Sequence, residues 1–366
     1  MQKRVLSLTT TTRVVILTAF YFVGGLLGKE GSFMSGSVTL VWPPSGIALA
    51  AILLFGYRFW PGVAMGAILF SFMNGLPFGF FTFGTAVGNT VGAIVCAFLL
   101  HRLIDFRNSM DRTRDVTGFI GLACFLGTSV NAMFNVLGLV YSKQIPFEEF
   151  FPKVVEWWVP NALAGLVVAP FILSWATPTG TKWDKKTIFE GIICAGGLAL
   201  GTLFSFHTWF VYGLQNYPLA YLPFPFLVWG AVRFGQRGAT TGTVVVSVVA
   251  IYALLHKRGP FVASTEKESL MLIGSYIGLL AVTNLLLAAS AMERRRARHA
   301  MAESERRYRG VVEDQTDLIC RFKQDGTLTF VNEAYCRFQG KTRDELLGSN
   351  FLRMLADDVD IPLTYF

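Results

Sequence analysis

The feature that most constrains this chain is a series of long, nearly uncharged stretches repeated along its first 291 residues. Ten lie near 12–28, 41–56, 59–76, 80–103, 116–141, 152–175, 187–206, 218–233, 237–256 and 269–291. A helix needs about 20 residues to cross a hydrocarbon core, so each run is a candidate span. The second and eighth are short and open on prolines, Pro43-Pro44 and Pro223 with Pro225. The expected fold is an all-α polytopic membrane bundle of 8 to 10 transmembrane helices, some broken by proline.

Composition agrees, because a chain 53% hydrophobic and 15% charged, with a mean hydropathy of +0.49, is too apolar for a soluble enzyme. A net charge of +8 invites a nucleic-acid partner, but the basic residues sit in the gaps between apolar runs. The expected partner is the lipid bilayer, with no nucleic acid. Cys96, Cys124 and Cys194 fall in apolar runs and Cys320 and Cys336 in a polar tail, with no paired spacing. Reduced thiols are expected, with no disulfide and no zinc. Lys3 and Arg4 precede a run that lacks a small-residue cleavage site, so it reads as a first span and not a removed signal.

Basic residues also orient the bundle. With the N-terminus inside, the inner segments hold seventeen Lys and Arg, including Lys3, Arg4, Arg58, Arg112, Lys182, Arg237 and Arg294. The outer segments hold six, among them Lys29, Lys143 and Lys153. The bias puts both ends of the membrane region in the cytoplasm. "GYRFWPG" at 56–62 and "GAVRFGQRG" at 230–238 echo each other, as a duplication or as two similar solutions to a tight inner turn.

Proline removes a backbone donor and disfavours helix at the residue before it, so the segment 41–46 either unwinds or begins a helix. Unwound backbone at membrane depth is tolerated only where it is buried in protein or lines a cavity. A helix starting near Ser45 directs free amides outward, where an anionic or polar ligand can sit. In the plainer reading Pro44 occupies the first turn and Trp42 anchors the interface. Asn89, Asn131, Asn135, Asn161, Glu156 and Asn284 are costly in hydrocarbon and should face protein or water. Asn131 and Asn135, four apart, share a helix face and serve either a pocket or interhelical hydrogen bonding. Trp157 and Trp158 roof a cavity or mark an interface. The candidate ligand pocket is therefore Trp42, Pro43, Pro44, Ser45, Asn89, Asn131, Asn135, Trp157, Trp158 and Asn161.

After 291 the chain changes to "MERRRARHAMAESERRYRGVVEDQ", charged helix formers that should continue the last span to about Glu313. Leu287, Ala297, Met301, Tyr308 and Val311 fall at coiled-coil spacing and predict a signal-relay helix that pairs in a homodimer. Beyond it, 318–322 and 328–331 read as strands joined at Asp325-Gly326, Asn332 as a helix cap, and Thr342 with Glu345 as a capping box. His101, His207, His256 and His299 lack metal spacing, and no phosphate loop or catalytic constellation is present, so neither a catalytic residue nor a metal site is expected.

The tail stretch "DGTLTFVNEAYCRFQGKTRDELLGSN" resembles the first half of a PAS domain, a fold that needs further strands past Phe366. "CRFQG" at Cys336 is similar to a flavin-photosensor signature, but in that family the cysteine follows the Leu-Gly turn, where this chain has Phe351. No cofactor is expected. "VWPPSGIALAAILLFGYRFWPGVAMGA", "AVGNTVGA" at 86–93, "DRTRDVTGFI" and "EWWVPNALAGLVVAPFILSW" together resemble the first type of membrane-associated sensor domain, the MASE family of bacterial signalling proteins. That family often has an acidic residue where this chain has Asn161, which weakens any proton-coupled role there. The resemblance implies an inner-membrane sensory domain over 1–291, a signalling helix over 292–313 and an incomplete PAS domain over 314–366. It further implies an output module, histidine kinase or diguanylate cyclase, beyond this chain, and a small ligand or membrane partner as input. Two other readings stay open: a transporter-like protein regulated by its PAS domain, and an anchor and dimerisation scaffold.

Overall fold

The structure, a computed structural model, describes residues 9–33, 38–76, 79–178, 184–206 and 219–351. Lys3, Arg4, Lys182, His207 and the sequence after 351 lie outside the described residues. The chain divides into two compact units, Met1–Glu293 and Arg294–Phe366.

In the first unit, helix α1 (Thr10–Glu30) starts where the Thr9 hydroxyl accepts the Thr12 N–H at 3.2 Å, and it ends at Gly31, whose N–H reaches the Leu27 carbonyl. A two-stranded hairpin follows, β1 (Ser32–Phe33) against β2 (Val38–Thr39). Helix α2 (Pro43–Phe55) carries both prolines in its first turn, where a missing N–H costs nothing because first-turn amides have no intrahelical partner. The alternative expectation of an unwound 41–46 segment is thereby corrected: the chain is helical from Pro43. Gly56, at φ +91°, ends α2, a conformation that side-chain-bearing residues rarely adopt. A 3₁₀ turn, Tyr57–Phe59, leads into α3 (Trp60–Met73). Helices α4 (Phe80–Ile104), α5 (Thr113–Tyr141), α6 (Phe150–Ala176) and α7 (Lys185–Phe206) follow, then α8 (Phe224–Leu255) and α9 (Glu266–Glu313).

Seven of these segments are long and apolar enough to cross a membrane. Helix α2 is not: its 13 residues rise about 20 Å, against a hydrocarbon core of roughly 30 Å. The eighth and ninth apolar runs make up α8, which is two helices divided at Gly235 (φ 63°, ψ −145°) and folded back so that Gly238 meets the backbone of Gly230. The two echoed turns therefore have different backbones, a 3₁₀ turn in one and a single-residue break in the other. Within α5, residues Phe119–Gly127 widen into a π-helix, which the sequence pattern did not announce.

Two apolar cores share a wall. One joins α1 to α5 and takes Ala169 and Leu173 from α6 and Leu285 and Ala289 from α9. The other joins α7, α8 and α9 to Leu163 and Val167 of α6. Lipid offers no hydrophobic drive between helices, so close approach through small residues supplies the contact. At Gly46 an added Cβ would lie 2.6 Å from the Ala164 carbonyl, and at Gly84 it would lie 2.9 Å from the Gly138 Cα.

One end of the bundle is tied together by charge and amide groups. Arg112 grips the fully buried Asp115 carboxylate through Nε at 2.8 Å and Nη2 at 2.7 Å. Gln236 donates to the Met110 carbonyl at 2.7 Å and the Leu285 carbonyl at 3.1 Å. Arg237 caps the end of α6 at the Ser174 and Thr177 carbonyls, 3.0 Å each. Glu293 of α9 accepts the Thr113 N–H at 3.0 Å and the Thr113 hydroxyl at 3.0 and 3.2 Å, capping the start of α5.

In the second unit, β3 (Cys320–Phe322) pairs antiparallel with β4 (Leu328–Val331), followed by α10 (Glu333–Gln339) and α11 (Arg343–Leu346). Asn332 is its hub: Oδ1 accepts from Ile319 N–H and Tyr335 N–H, while Nδ2 donates to the Val312 and Asp317 carbonyls. Glu313, the last residue of α9, accepts from Glu333 N–H and pairs with Arg343 at 2.6 Å.

Replacing Gly46 by Ala should destabilise the membrane unit by about 1–3 kcal/mol, since the Ala164 carbonyl is backbone and cannot rotate away. Gly121→Ala, where an added Cβ meets nothing within 4 Å, is the control and should leave unfolding in lipid nanodiscs unchanged.

Candidate functional site

Because α2 starts late, it leaves room above its first turn, and a cavity of about 330 Å³ occupies that room. Tyr21 and Lys29 of α1, Trp42 at the head of α2, and Phe70 and Ser71 of α3 form one side. Phe81, Thr85 and Asn89 of α4, Asn135 of α5, and Trp157 and Asn161 of α6 form the other. Lys29 and Glu156 are the charged residues of the lining, and each already has a partner. Lys29 Nζ donates to Asn74 Oδ1 at 2.6 Å, and Glu156 pairs with Lys153 at 2.9 Å.

Three carboxamides form a chain along the inner wall. Asn135 Nδ2 donates to Asn131 Oδ1 at 2.5 Å, Asn131 Nδ2 to Asn89 Oδ1 at 3.1 Å, and Asn89 Nδ2 to the Thr85 carbonyl at 2.7 Å. At the floor the Ser45 hydroxyl donates to Asn161 Oδ1, and Asn161 Nδ2 donates to the Trp157 carbonyl at 2.5 Å. The Trp42 N–H, which belongs to no helix ladder, reaches the Pro160 carbonyl at 3.1 Å. Ser45 N–H reaches the Trp42 carbonyl at 3.1 Å. With two prolines and a bonded Ser45 in its first turn, α2 offers few free amides, which corrects the expectation of an anion site there.

Of the residues singled out from sequence, Trp42, Asn89, Asn135, Trp157 and Asn161 meet at this cavity. Ser45 and Asn131 lie beneath it, beside a void of about 10 Å³. Pro43, Pro44 and Trp158 do not line it. The Trp158 indole turns the other way, donating to the Phe125 carbonyl at 3.2 Å inside the π-helical segment, with the two rings edge to face at 4.7 Å. Asn284 is used between helices, donating to Thr243 Oγ1 at 3.2 Å. Sequence reasoning missed Tyr21, Phe70, Phe81, Thr85 and Ser71. Ser71, a hydroxyl in the otherwise apolar 59–72 run, carried a signal, and the aromatic residues carried none. Of the relay positions, Leu287 is half-buried and packs beside Ala231, Ala239 and Ala288 of the membrane unit. Met301, Tyr308 and Val311 are exposed. Among the described residues no group of His, Cys, Asp and Glu is placed to hold a metal ion.

The MASE1 family profile matches residues 13–296, which takes in every helix lining the cavity. The chain belongs to the MASE1 family. A curated relative, the probable diguanylate cyclase DgcE of Escherichia coli (strain K12), is 23% identical over 360 residues, covering 93% of this chain. The chain spans about 30% of that relative's length. No solved structure matches. The MASE1 region is a membrane sensory module of signalling proteins, multi-pass in the inner membrane, and its surroundings are a lipid bilayer.

Asn131→Leu should remove the donor to Asn89 and the Oδ1 acceptor for Asn135 together, destabilising the α4–α5 contact by about 1–2 kcal/mol. Asn284→Leu, which breaks one bond, should cost less in the same unfolding measurement.

Proposed function

We propose that residues 10–293 are the input module of a bacterial signalling protein and that the cavity beneath Lys29 and Glu156 receives a small ligand. The basic-residue bias orients the cavity mouth outward and places Arg112, Arg237 and Glu293 at the cytoplasmic face, with both termini inside. In this reading the chain makes ten passes, with α8 counted as two and α2 and α3 short, and pairs as a homodimer through Ala297, Met301, Tyr308 and Val311. The PAS-like unit passes the signal on, and the output is diguanylate cyclase activity, by analogy with the relative.

The observation that carries the reading is that one helix joins the two ends. Helix α5 contributes Asn131 and Asn135 at the cavity end, and its first residue, Thr113, is capped by Glu293 of α9. Helix α9 then continues unbroken to Glu313. A ligand that favours one placement of α5 over another changes what Glu293 holds, which is the differential affinity that any switch requires.

The test uses the full-length protein with cyclic di-GMP as readout. Ser71→Phe, which fills the cavity from α3, should fix output at one level, and unchanged regulation in that variant overturns the input-site reading. Inserting one residue after Ala297 turns everything downstream by about 100° and should lock or invert output. Seven inserted residues return the face to within about 20° and should preserve it. Equal behaviour of the two insertions sinks the relay.

A further inference from the structure

Among the described residues, Lys29 is the one charge of the cavity lining that no opposite charge answers. Its ammonium donates to Asn74 Oδ1 at 2.6 Å, and that carboxamide is neutral. Asn74 is fixed in turn, because its Nδ2 donates to the Phe70 carbonyl at 2.8 Å where α3 ends. Its oxygen is thereby aimed at Lys29, which is positioned without being neutralised. An ammonium has three N–H donors, so two remain after Asn74 takes one. Glu156 also faces the cavity, but Lys153 balances it through bonds to both carboxylate oxygens, at 3.0 and 2.9 Å. These three side chains together leave one net positive charge.

The other free groups are neutral and lie deeper. Asn135 sits about 9 Å of helix rise inside the end of α5 at Tyr141. It spends Nδ2 on Asn131, and its Oδ1, on a residue 2% exposed, accepts from no described donor. The Ser71 hydroxyl, on a residue 3% exposed, likewise has no described partner. Much of the remaining lining is aromatic: Tyr21, Trp42, Phe70, Phe81 and Trp157.

From this arrangement we infer that the cavity takes an organic monoanion. Its carboxylate accepts from the two free N–H groups of Lys29, its apolar ring lies against the aromatic walls, and a neutral donor at its far end reaches Asn135 Oδ1. The inference rests on the reading of the cavity as the input site and adds the chemical class of what enters it. A charge-assisted bond from ammonium to carboxylate is about twice as strong as a neutral one. Lys29 is exposed, so it forms that bond without first being stripped of its water. A cation would meet Lys29 with no unpaired carboxylate to offset it, and a dianion would carry a second charge with no partner.

The probe is 4-hydroxybenzoate, compared with 4-hydroxybenzamide, 4-hydroxybenzamidinium and benzoate by equilibrium binding to the full chain in nanodiscs of zwitterionic lipid. The hydroxy acid should bind saturably and about tenfold more tightly than its amide or amidinium. Benzoate, which lacks the far donor, should bind about threefold to tenfold more weakly than the hydroxy acid. Lys29→Gln should abolish the advantage of acid over amide and leave amide binding as it was. Added salt should weaken the acid and spare the amide, because Lys29 is exposed. The inference is overturned if the amide or the amidinium binds as tightly as the acid, or if benzoate matches it. It is equally overturned if Lys29→Gln or salt affects acid and amide alike, or if no probe binds saturably at millimolar concentration. Any of these results, with Ser71→Phe still fixing output, removes the ligand class and leaves the input site standing. Unchanged regulation in Ser71→Phe removes the input site itself.

Discussion

Hydrocarbon supplies no water to satisfy a backbone amide, and the membrane unit is arranged around that constraint. The Pro43-Pro44 pair meets it by carrying no N–H where a helix has no acceptor to offer. The one exposed donor left over, Trp42 N–H, is given to the Pro160 carbonyl on α6. Two proline-bearing segments thus complete each other, and α2 can begin partway into the bilayer. The cavity exists because it does.

The same accounting explains why α6 is the shared wall of both cores. It meets α2 closely enough at Gly46 that a methyl group would strike the Ala164 carbonyl. Its Trp158 supplies a donor to the Phe125 carbonyl, where the wide turns of the π-helix change the usual backbone pairing. Its far end is held by Arg237, whose guanidinium also lies 5.3 Å over the Trp175 ring. Helices that lack a hydrophobic reason to associate are held instead by small-residue contact and by shared polar groups.

Much of this was legible in the sequence. The apolar runs marked the helices because charge is expelled from hydrocarbon, and the asparagines stood out for the same reason. Asn131 and Asn135, four residues apart, fell on one face as expected. Trp157 and Trp158 look alike on paper, yet successive residues point about 100° apart on a helix, and only the first reaches the cavity. The π-helix left no trace because its composition is that of any apolar helix. The apolar runs on either side of Gly235 are two helices, as their separation by Arg233 and Arg237 implies, and only the single-residue turn at Gly235 is without a signal in the sequence. Glu293 was one charge in a charged stretch, and its role as a cap depends on Thr113, 180 residues earlier.

That cap has a mechanical consequence. Thr113 and Glu293 are joined by three short bonds, all ending on one carboxylate. A shift of α9 along its axis by one residue is about 1.5 Å, and any movement that carries the Glu293 carboxylate away from Thr113 lengthens all three bonds together. The joint is thus a single fastening and not three separate ones, since one carboxylate carries every bond.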